Sequence, residues 1–466
     1  MSDTFQFDAG ETILIIGLGR SGLASIEVLS EHRVTLYATD EKPISELAAP
    51  IAAARSLGAR FVEPAQLETL AGELTCAILS PGVPPTSPVV RHLHEYNVPV
   101  FGEIELAYRL CKAPIIAVTG TKGKSTTTAL IGHLLRSCGE RVRVGGNIGN
   151  PLIKEVGGTQ PSDWVVAEVS SFQLETIRAF KPRVAVLLNL MPDHLDRYYS
   201  MEEYTEAKYR ICANQSMMDW FVGNLDDPRI RVLHWRTGDT RVLARQLWFS
   251  LENREHATMY LRDGVVMYAP VTGDPRPVAV VSRDEIPLPG DHNVSNAMAA
   301  LLAAIVAGCS LESLREAIAS FEPMPHRLRT IAEIDGVRYV DDSKATNPAS
   351  VIAALNTYDA PIVLIAGGRS KGTEFDALGA EIRKHASALV AIGEAAGEIR
   401  RAAEGLPTIL ASTMEEAVRR ARELAVRGGI VLLSPGCASF DMFASAEDRG
   451  DEFAAAVAVL REPAGA

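Results

Sequence analysis

At 466 residues the chain exceeds what a single hydrophobic core supports, and its length predicts about three domains. Hydrophobic residues make up 47% and charged residues 22%, a globular balance, while a net charge of −12 with no basic run beyond two residues argues against a nucleic-acid partner. The six cysteines (Cys76, Cys111, Cys138, Cys212, Cys309, Cys437) show no C-x-x-C or metal-ligand spacing and read as reduced thiols in a cytoplasm, and the first apolar run, Ile13 to Ile16, is too short for a signal peptide or membrane span.

The first element is a short apolar strand, Ile13-Leu14-Ile15-Ile16, that enters Gly17-Leu18-Gly19-Arg20-Ser21-Gly22 ahead of a helix. Asp40 follows a second apolar strand, Val34 to Ala38. Taken alone this fingerprint predicts NAD; its physical content is a diphosphate at a helix N-terminus and a carboxylate near a ribose, which a UDP-sugar also supplies. Ser80-Pro81-Gly82-Val83-Pro84 follows a further apolar strand, Ala77 to Leu79, and either presents N–H groups at the same sheet edge or only turns the chain. A first domain boundary is expected near Phe101 to Glu103.

The densest signal comes next. Ile115 to Thr119 is an apolar strand, Gly120-Thr121-Lys122-Gly123-Lys124-Ser125-Thr126 is a glycine-rich turn, and Ser125 to Arg136 reads as the helix behind it. Backbone N–H groups of such a turn point at phosphate oxygens, the lysine reaches the outer phosphates, and the hydroxyl that follows can ligate Mg²⁺. Val118 stands where the usual phosphate loop has its first glycine, which makes this the shorter G-T-x-G-K-[ST]-T form.

Gly145-Gly146-Asn147-Ile148-Gly149-Asn150 is a turn able to carry Asn147 to a sugar or carboxylate. Val165 to Glu175 reads as a strand interrupted by Glu168, Ser170 and Ser171, and a carboxylate at a strand end beside a phosphate cradle suits Mg²⁺. The polar stretch Asn189 to Arg197 follows the apolar strand Val184 to Leu188, and Glu202 to Ile211 reads as a helix with Tyr204 and Lys208 on one face, where a lone lysine is ordinarily solvated. Residues Trp248 to Ser282 alternate and carry turn residues, which predicts a small antiparallel excursion. After a helix at Leu311 to Phe321, Pro323 and Pro325 mark a second boundary, and Ile362 to Gly368 repeats the strand-into-glycine pattern.

Gly120 to Thr126, Glu168-Val169-Ser170-Ser171-Phe172-Gln173-Leu174-Glu175 and Asp193-His194-Leu195-Asp196-Arg197 together resemble the Mur ligase family. The likeness extends through Gly290 to Asn296, Pro325-His326-Arg327, Asp341 to Asn347 and Ser434 to Ser439, essentially the whole chain. It implies an α/β, three-domain Mur ligase architecture: a Rossmann-like UDP-binding domain at 1–102, a central P-loop ATPase-like domain at 103–323, and a Rossmann-like glutamate-binding domain at 324–466. The Phe172 to Glu175 stretch points to the branch that adds D-glutamate to UDP-N-acetylmuramoyl-L-alanine through an acyl phosphate, consuming ATP in cytoplasmic peptidoglycan precursor synthesis; a monomer is expected.

The same resemblance implies the residue roles. Gly120, Thr121, Lys122, Gly123, Lys124, Ser125, Thr126, Asn293, Asn296, Arg327 and Asp342 would contact ATP. Gly19, Arg20, Ser21, Asp40, Ser80, Asn147 and His194 would contact the UDP substrate, which displaces NAD. Ser125, Thr126, Glu168, His194 and a carbamylated Lys208 would hold two Mg²⁺ ions, with Lys124, His194 and Lys208 the catalytic set. Lys344, Thr346, Lys371 and Ser439 would hold the incoming glutamate. Two departures bear on that pocket: Ala446 replaces the family's aromatic residue, and Arg369-Ser370 lacks a frequent aspartate.

Overall fold

The computed structural model describes residues 10–194, 197–234, 241–271, 276–370 and 374–461. Among the described residues twenty strands form three sheets, each drawn from its own stretch of sequence. In the first, β1 (Thr12–Ile16), β2 (Thr35–Thr39), β3 (Arg60–Phe61), β4 (Cys76–Leu79) and β5 (Val100–Gly102) lie in the order 3-2-1-4-5, all parallel. Along β1 the side chains divide by parity: Ile13 and Ile15 join one core, Leu14 and Ile16 the other, as a sheet covered by helices on both faces requires.

The central sheet comprises β6 (Ile115–Thr119), β7 (Val142–Gly146), β8 (Trp164–Glu168), β9 (Val184–Leu187), β10 (Trp220–Asn224), β11 (Arg245–Ser250), β12 (Met259–Arg262), β13 (Val265–Tyr268) and β14 (Val278–Ser282). Their order is 14-13-12-11-10-9-6-8-7, parallel except at the β12–β13 and β13–β14 pairs. The antiparallel excursion expected over 248–282 therefore exists, but it prolongs the edge of the central sheet. Because β6 lies between β8 and β9, the turns after all three strands share one edge, where ligands bind in open α/β sheets.

The third sheet orders β15 (Arg329–Ile334), β16 (Val337–Asp341), β17 (Ile362–Gly367), β18 (Ala386–Ile392), β19 (Thr408–Ala411) and β20 (Ile430–Gly436) as 15-16-20-17-18-19, with only β15 antiparallel. Two compact units result. One comprises the chain to Ile286 with Val294–Phe321; the other comprises Pro287–Asn293 with the chain from Glu322 onward.

Two buried carboxyls tie the first two sheets within the larger unit. On the helix Glu103–Leu110, Glu105 Oε2 accepts the N–H groups of Arg178 and Phe180 at 2.9 and 2.8 Å, its carboxylate also takes the Ala179 N–H at 3.0 Å, and Arg109 pairs with it at 2.9 Å. Glu103 Oε1 accepts the Ile153 N–H at 2.7 Å, and burial pushes its carboxyl up to about 7 against the pull of that bond, Gln173 and the Leu152 N–H. Among the described residues no helix is long and apolar enough to cross a membrane.

Candidate active site

The glycine turn after β1 is built by close approach. A Cβ on Gly22 would lie 1.9 Å from the Gly17 carbonyl oxygen, and one on Gly17, at φ +90°, 2.8 Å from Val83 Cγ2. Ser80 Oγ donates to Gly17 O at 2.8 Å, and the Asp40 carboxylate accepts the Leu18 N–H at 2.7 Å and the Lys42 N–H at 3.0 Å. Ser80 and Asp40 thus shape the turn that they were expected to serve as ligand contacts. Arg20 Nη2 reaches the Gly149 carbonyl at 2.6 Å, and Gly19, Arg20, Ser21, Asp40, Ser80 and Asn147 all line one cleft of about 430 Å³.

The phosphate turn leaves β6 and enters the helix Lys124–Ser137, capped by Gly123 in the left-handed region at φ +83°. A Cβ there would meet Asn296 Oδ1 at 2.3 Å, so Asn296, on the helix Asp291–Val306, braces the cap. The turn is held on its other side by Asn189, whose Oδ1 accepts the Lys122 N–H at 2.8 Å and whose Nδ2 donates to Lys122 O at 3.0 Å. Thr121 Oγ1 is 3.0 Å from the Tyr204 hydroxyl. Lys124 Nζ folds back onto the Gly120 and Thr121 carbonyls, each at 2.9 Å, and Lys122 lies 3.7 Å from Asp193. Ser125 is buried and Thr126 half-buried on the first turn of the helix.

The expectation of a strand over 165–175, interrupted by Glu168, Ser170 and Ser171, is corrected. β8 stops at Glu168, and Ser170 caps the helical turn Ser171–Leu174: its Oγ accepts the Gln173 N–H at 3.2 Å while Gln173 Oε1 accepts the Ser170 N–H at 2.9 Å. That reversal leaves the Glu168 side chain buried at the sheet edge. Its Oε1 accepts from Asn147 Nδ2 at 2.7 Å, but its Oε2 has no hydrogen-bond partner among the described residues. An orphaned buried carboxylate oxygen costs free energy unless a cation or donor meets it, so the residues present fit a Mg²⁺ ion.

Lys208 departs from the solvated lysine that a helix position suggests. On the helix Met201–Tyr209 it is buried, donating to Gly120 O at 2.9 Å and to Thr119 Oγ1 at 3.4 Å. Burial, reinforced by the neighbouring Lys124 charge, holds its ammonium well below the usual lysine range, against the pull of Asp193 and Glu168. The same burial places its amine beside the phosphate turn and out of water. His194 sits in the left-handed region at φ +55°, its ring 4.8 Å from that of Phe172.

In the second unit, Asp342 follows β16 and is buried; Ser434 Oγ donates to it at 2.9 Å and the Leu328 N–H at 3.3 Å. Burial pushes its carboxyl up to about 7, opposed by Ser434 and the nearby Arg327 charge. Lys344 pairs with Glu447, Thr346 is half-buried, and Ser439 is buried with its carbonyl accepting the Phe443 N–H at 2.9 Å. Asn293 Nδ2 donates to Pro289 O at 2.7 Å. Lys371 lies outside the described residues. Arg369, beside which the family often carries an aspartate, is paired with Glu394 at 3.0 Å, and the Ala446 carbonyl accepts Ser343 Oγ at 2.7 Å.

The sequence profile of the Mur ligase middle domain matches residues 118–304, and that of the Mur ligase glutamate ligase domain matches 326–437. The UDP-N-acetylmuramoylalanine--D-glutamate ligase of Pelotomaculum thermopropionicum is 43% identical over 97% of this chain and 98% of its own. The chain belongs to the Mur ligase family. Enzymes of the same name from Geobacter metallireducens and Thermoanaerobacter pseudethanolicus are 41% and 40% identical, again over 97% of this chain. Among solved structures, UDP-N-acetylmuramate-alanine ligase MurC from Thermotoga maritima superimposes with a TM-score of 0.59 at 19% identity, covering 97% of this chain and all of that one. The MurF ligase of the same organism in complex with ADP gives 0.59 at 17%, over 96% and 98%. At these identities the likeness is one of fold, and it is the three-domain Mur ligase architecture.

Sequence reasoning left two residues out of this Mur ligase site. Lys42 and Gln173 line the same cleft as Asp40 and Asn147. Gln173 lay within a stretch already singled out, whereas nothing in the spacing marked Lys42. Arg449, which matches a family arginine but carried no stated role, is wholly buried, its guanidinium donating to Ser343 O at 2.8 Å and Cys437 O at 3.1 Å, so it ties the turns after β16 and β20 together.

Proposed function

We infer that this Mur ligase joins D-glutamate to UDP-N-acetylmuramoyl-L-alanine at the expense of ATP, in peptidoglycan precursor synthesis. Full-length identity to ligases of that name supports the reaction, and the observation that carries its chemistry is the meeting of the phosphate turn, the orphaned Glu168 oxygen and the buried Lys208 at one sheet edge. The substrate carboxylate attacks the γ-phosphorus of ATP, ADP departs, and an acyl phosphate forms; the amine of D-glutamate then attacks the acyl carbon and phosphate leaves.

The assignments rest on the family resemblance, and the geometry around the phosphate turn, Glu168 and Lys208 supports the central ones. Gly120 to Thr126 cradle the phosphates, with Lys124 swinging from its own loop carbonyls onto the transferring group. Asn293, Asn296, Arg327 and Asp342 are assigned to the nucleotide. Gly19, Arg20, Ser21, Asp40 and Ser80 receive the UDP end, and Asn147 and His194 the reacting end. Ser125, Thr126 and Glu168 would hold one Mg²⁺, and His194 with Lys208 as its carbamate a second; Mg²⁺ when bound neutralises charge on the carboxylate and phosphoryl oxygens. Lys344, Thr346, Lys371 and Ser439 are assigned to glutamate, two cations and two hydroxyls for a dicarboxylate. We place the domains at 1–102, 103–323 and 324–466, and take the working form as a cytoplasmic monomer.

Phosphate release from ATP in the presence of UDP-N-acetylmuramoyl-L-alanine tests the reading, with D-glutamate, L-glutamate, lysine or no amino acid as acceptor. Release should require D-glutamate. Equal release with lysine, or a preference for L-glutamate, would overturn the pocket assignment, and no release with any acceptor would overturn the reaction.

A further inference from the structure

His194 is held by a chain of contacts that no step of the reaction uses. Its carbonyl accepts the N–H groups of Arg197 and Tyr198 at 3.0 and 3.1 Å, which closes a turn and leaves the His194 backbone left-handed. That turn is anchored across the sheet edge. Arg197 Nη2 meets Glu175 Oε2 at 2.6 Å, and the Tyr198 hydroxyl donates to the other oxygen of the same carboxylate. The Arg197 guanidinium carbon lies 4.0 Å from the centroid of the Phe172 ring, whose centroid in turn stands 4.8 Å from that of the His194 imidazole at 60°. Phe172 is therefore clamped between a cation on one side and the imidazole on another.

We propose that Arg197 is a positioning residue for His194: paired with Glu175 and stacked on Phe172, it fixes the ring against which the imidazole rests. The proposal builds on the assignment of His194 to the reacting end. Arginine suits the task because a planar guanidinium pairs with a carboxylate and lies flat on an aromatic face at once, which a lysine ammonium does not. Glu175 comes from the turn that follows Glu168 and Arg197 from the turn that carries His194, so the ion pair also sets the spacing between these two side chains.

Two readouts test it, one of which needs no turnover. With ring-¹³C histidine, the His194 resonance is identified by its loss in His194→Ala, against the background of the other nine of the chain's 10 histidines. Arg197→Met should shift and broaden that resonance alone, with the melting temperature unchanged, and should lower kcat by about tenfold or more with KM values nearly constant, the signature of a misplaced reacting group. Arg197→Lys should recover part of the kcat and leave the resonance intermediate. An unmoved His194 resonance in Arg197→Met overturns the proposal, as does a shift of all histidine resonances with a lowered melting temperature, which marks a merely structural role. Full activity in His194→Ala would instead remove the assignment of His194 on which the proposal builds.

Discussion

Replacing Glu103 with glutamine should stabilise the protein at pH 8 relative to its standing at pH 5. In the folded chain this carboxyl is pushed up to about 7 from 4.5, chiefly by burial, so between those values the folded state holds a proton that the unfolded state releases. Stability contributed by the group is complete below pH 4.5 and is lost as pH rises through 7. The interval corresponds to about 3 kcal/mol, an order-of-magnitude figure. Glutamine is neutral throughout and can still accept the Ile153 N–H through its amide oxygen, as the protonated carboxyl does, so any packing cost of the amide is the same at both pH values. Guanidinium unfolding of both proteins at pH 5 and pH 8 supplies the measurement, and the comparison between pH values cancels the constant term. Asp342 contributes the same trend to both proteins and cancels as well. A difference between variant and parent that stays constant across the two pH values would refute the buried-proton reasoning, and so would a variant less stable at pH 8 than at pH 5 relative to its parent.

Lys124→Ala should lower kcat by about a hundredfold or more while leaving the fold intact, since it removes a placed cation from developing phosphate charge; near-normal turnover in steady-state assays would take the phosphate role from this loop. Lys208→Arg should be inactive, because arginine keeps its charge and does not take up CO₂, and ¹³C-bicarbonate should give a carbamate signal in the parent that the variant lacks. Gly123→Ala should abolish nucleotide binding measured by calorimetry, as the methyl would enter Asn296 at 2.3 Å on a left-handed backbone. Lys344→Ala should raise KM for D-glutamate far more than KM for ATP; equal effects on both would move it out of the acceptor pocket.

Strands such as β1, β6, β9 and β17 were legible because they are unbroken apolar runs, and the phosphate turn because glycines in left-handed or closely approached positions leave a sequence trace. Side chains whose role depends on burial were not. Lys208 occupies an ordinary helical position, and only packing against the turn after β6 removes it from water. Glu103 and Glu105 stand in the first turn of a helix, where acids are usually exposed and favoured by the helix dipole, so nothing announced that both are buried. Arg197 and Glu175 are 22 residues apart, and their pairing exists only once the turns after β8 and β9 are brought to one edge. Glu168 was found by its place at a strand end, while the reversal that Ser170 imposes after it was hidden by the β-prone residues on either side.

The clamp between the first and central sheets works as a ruler. Glu103, Glu105, the Arg20 contact to Gly149 and the pairing of Lys154 with Glu27 at 2.5 Å leave the glycine turn after β1 and the carboxylate at the end of β8 at a set separation. On the proposed assignment, a substrate gripped at its nucleotide end would have to span that length to present its carboxylate to the phosphate turn. Analogues shortened between sugar and carboxylate would still be gripped but would fall short of the chemistry, so length would be discriminated in turnover and not in affinity.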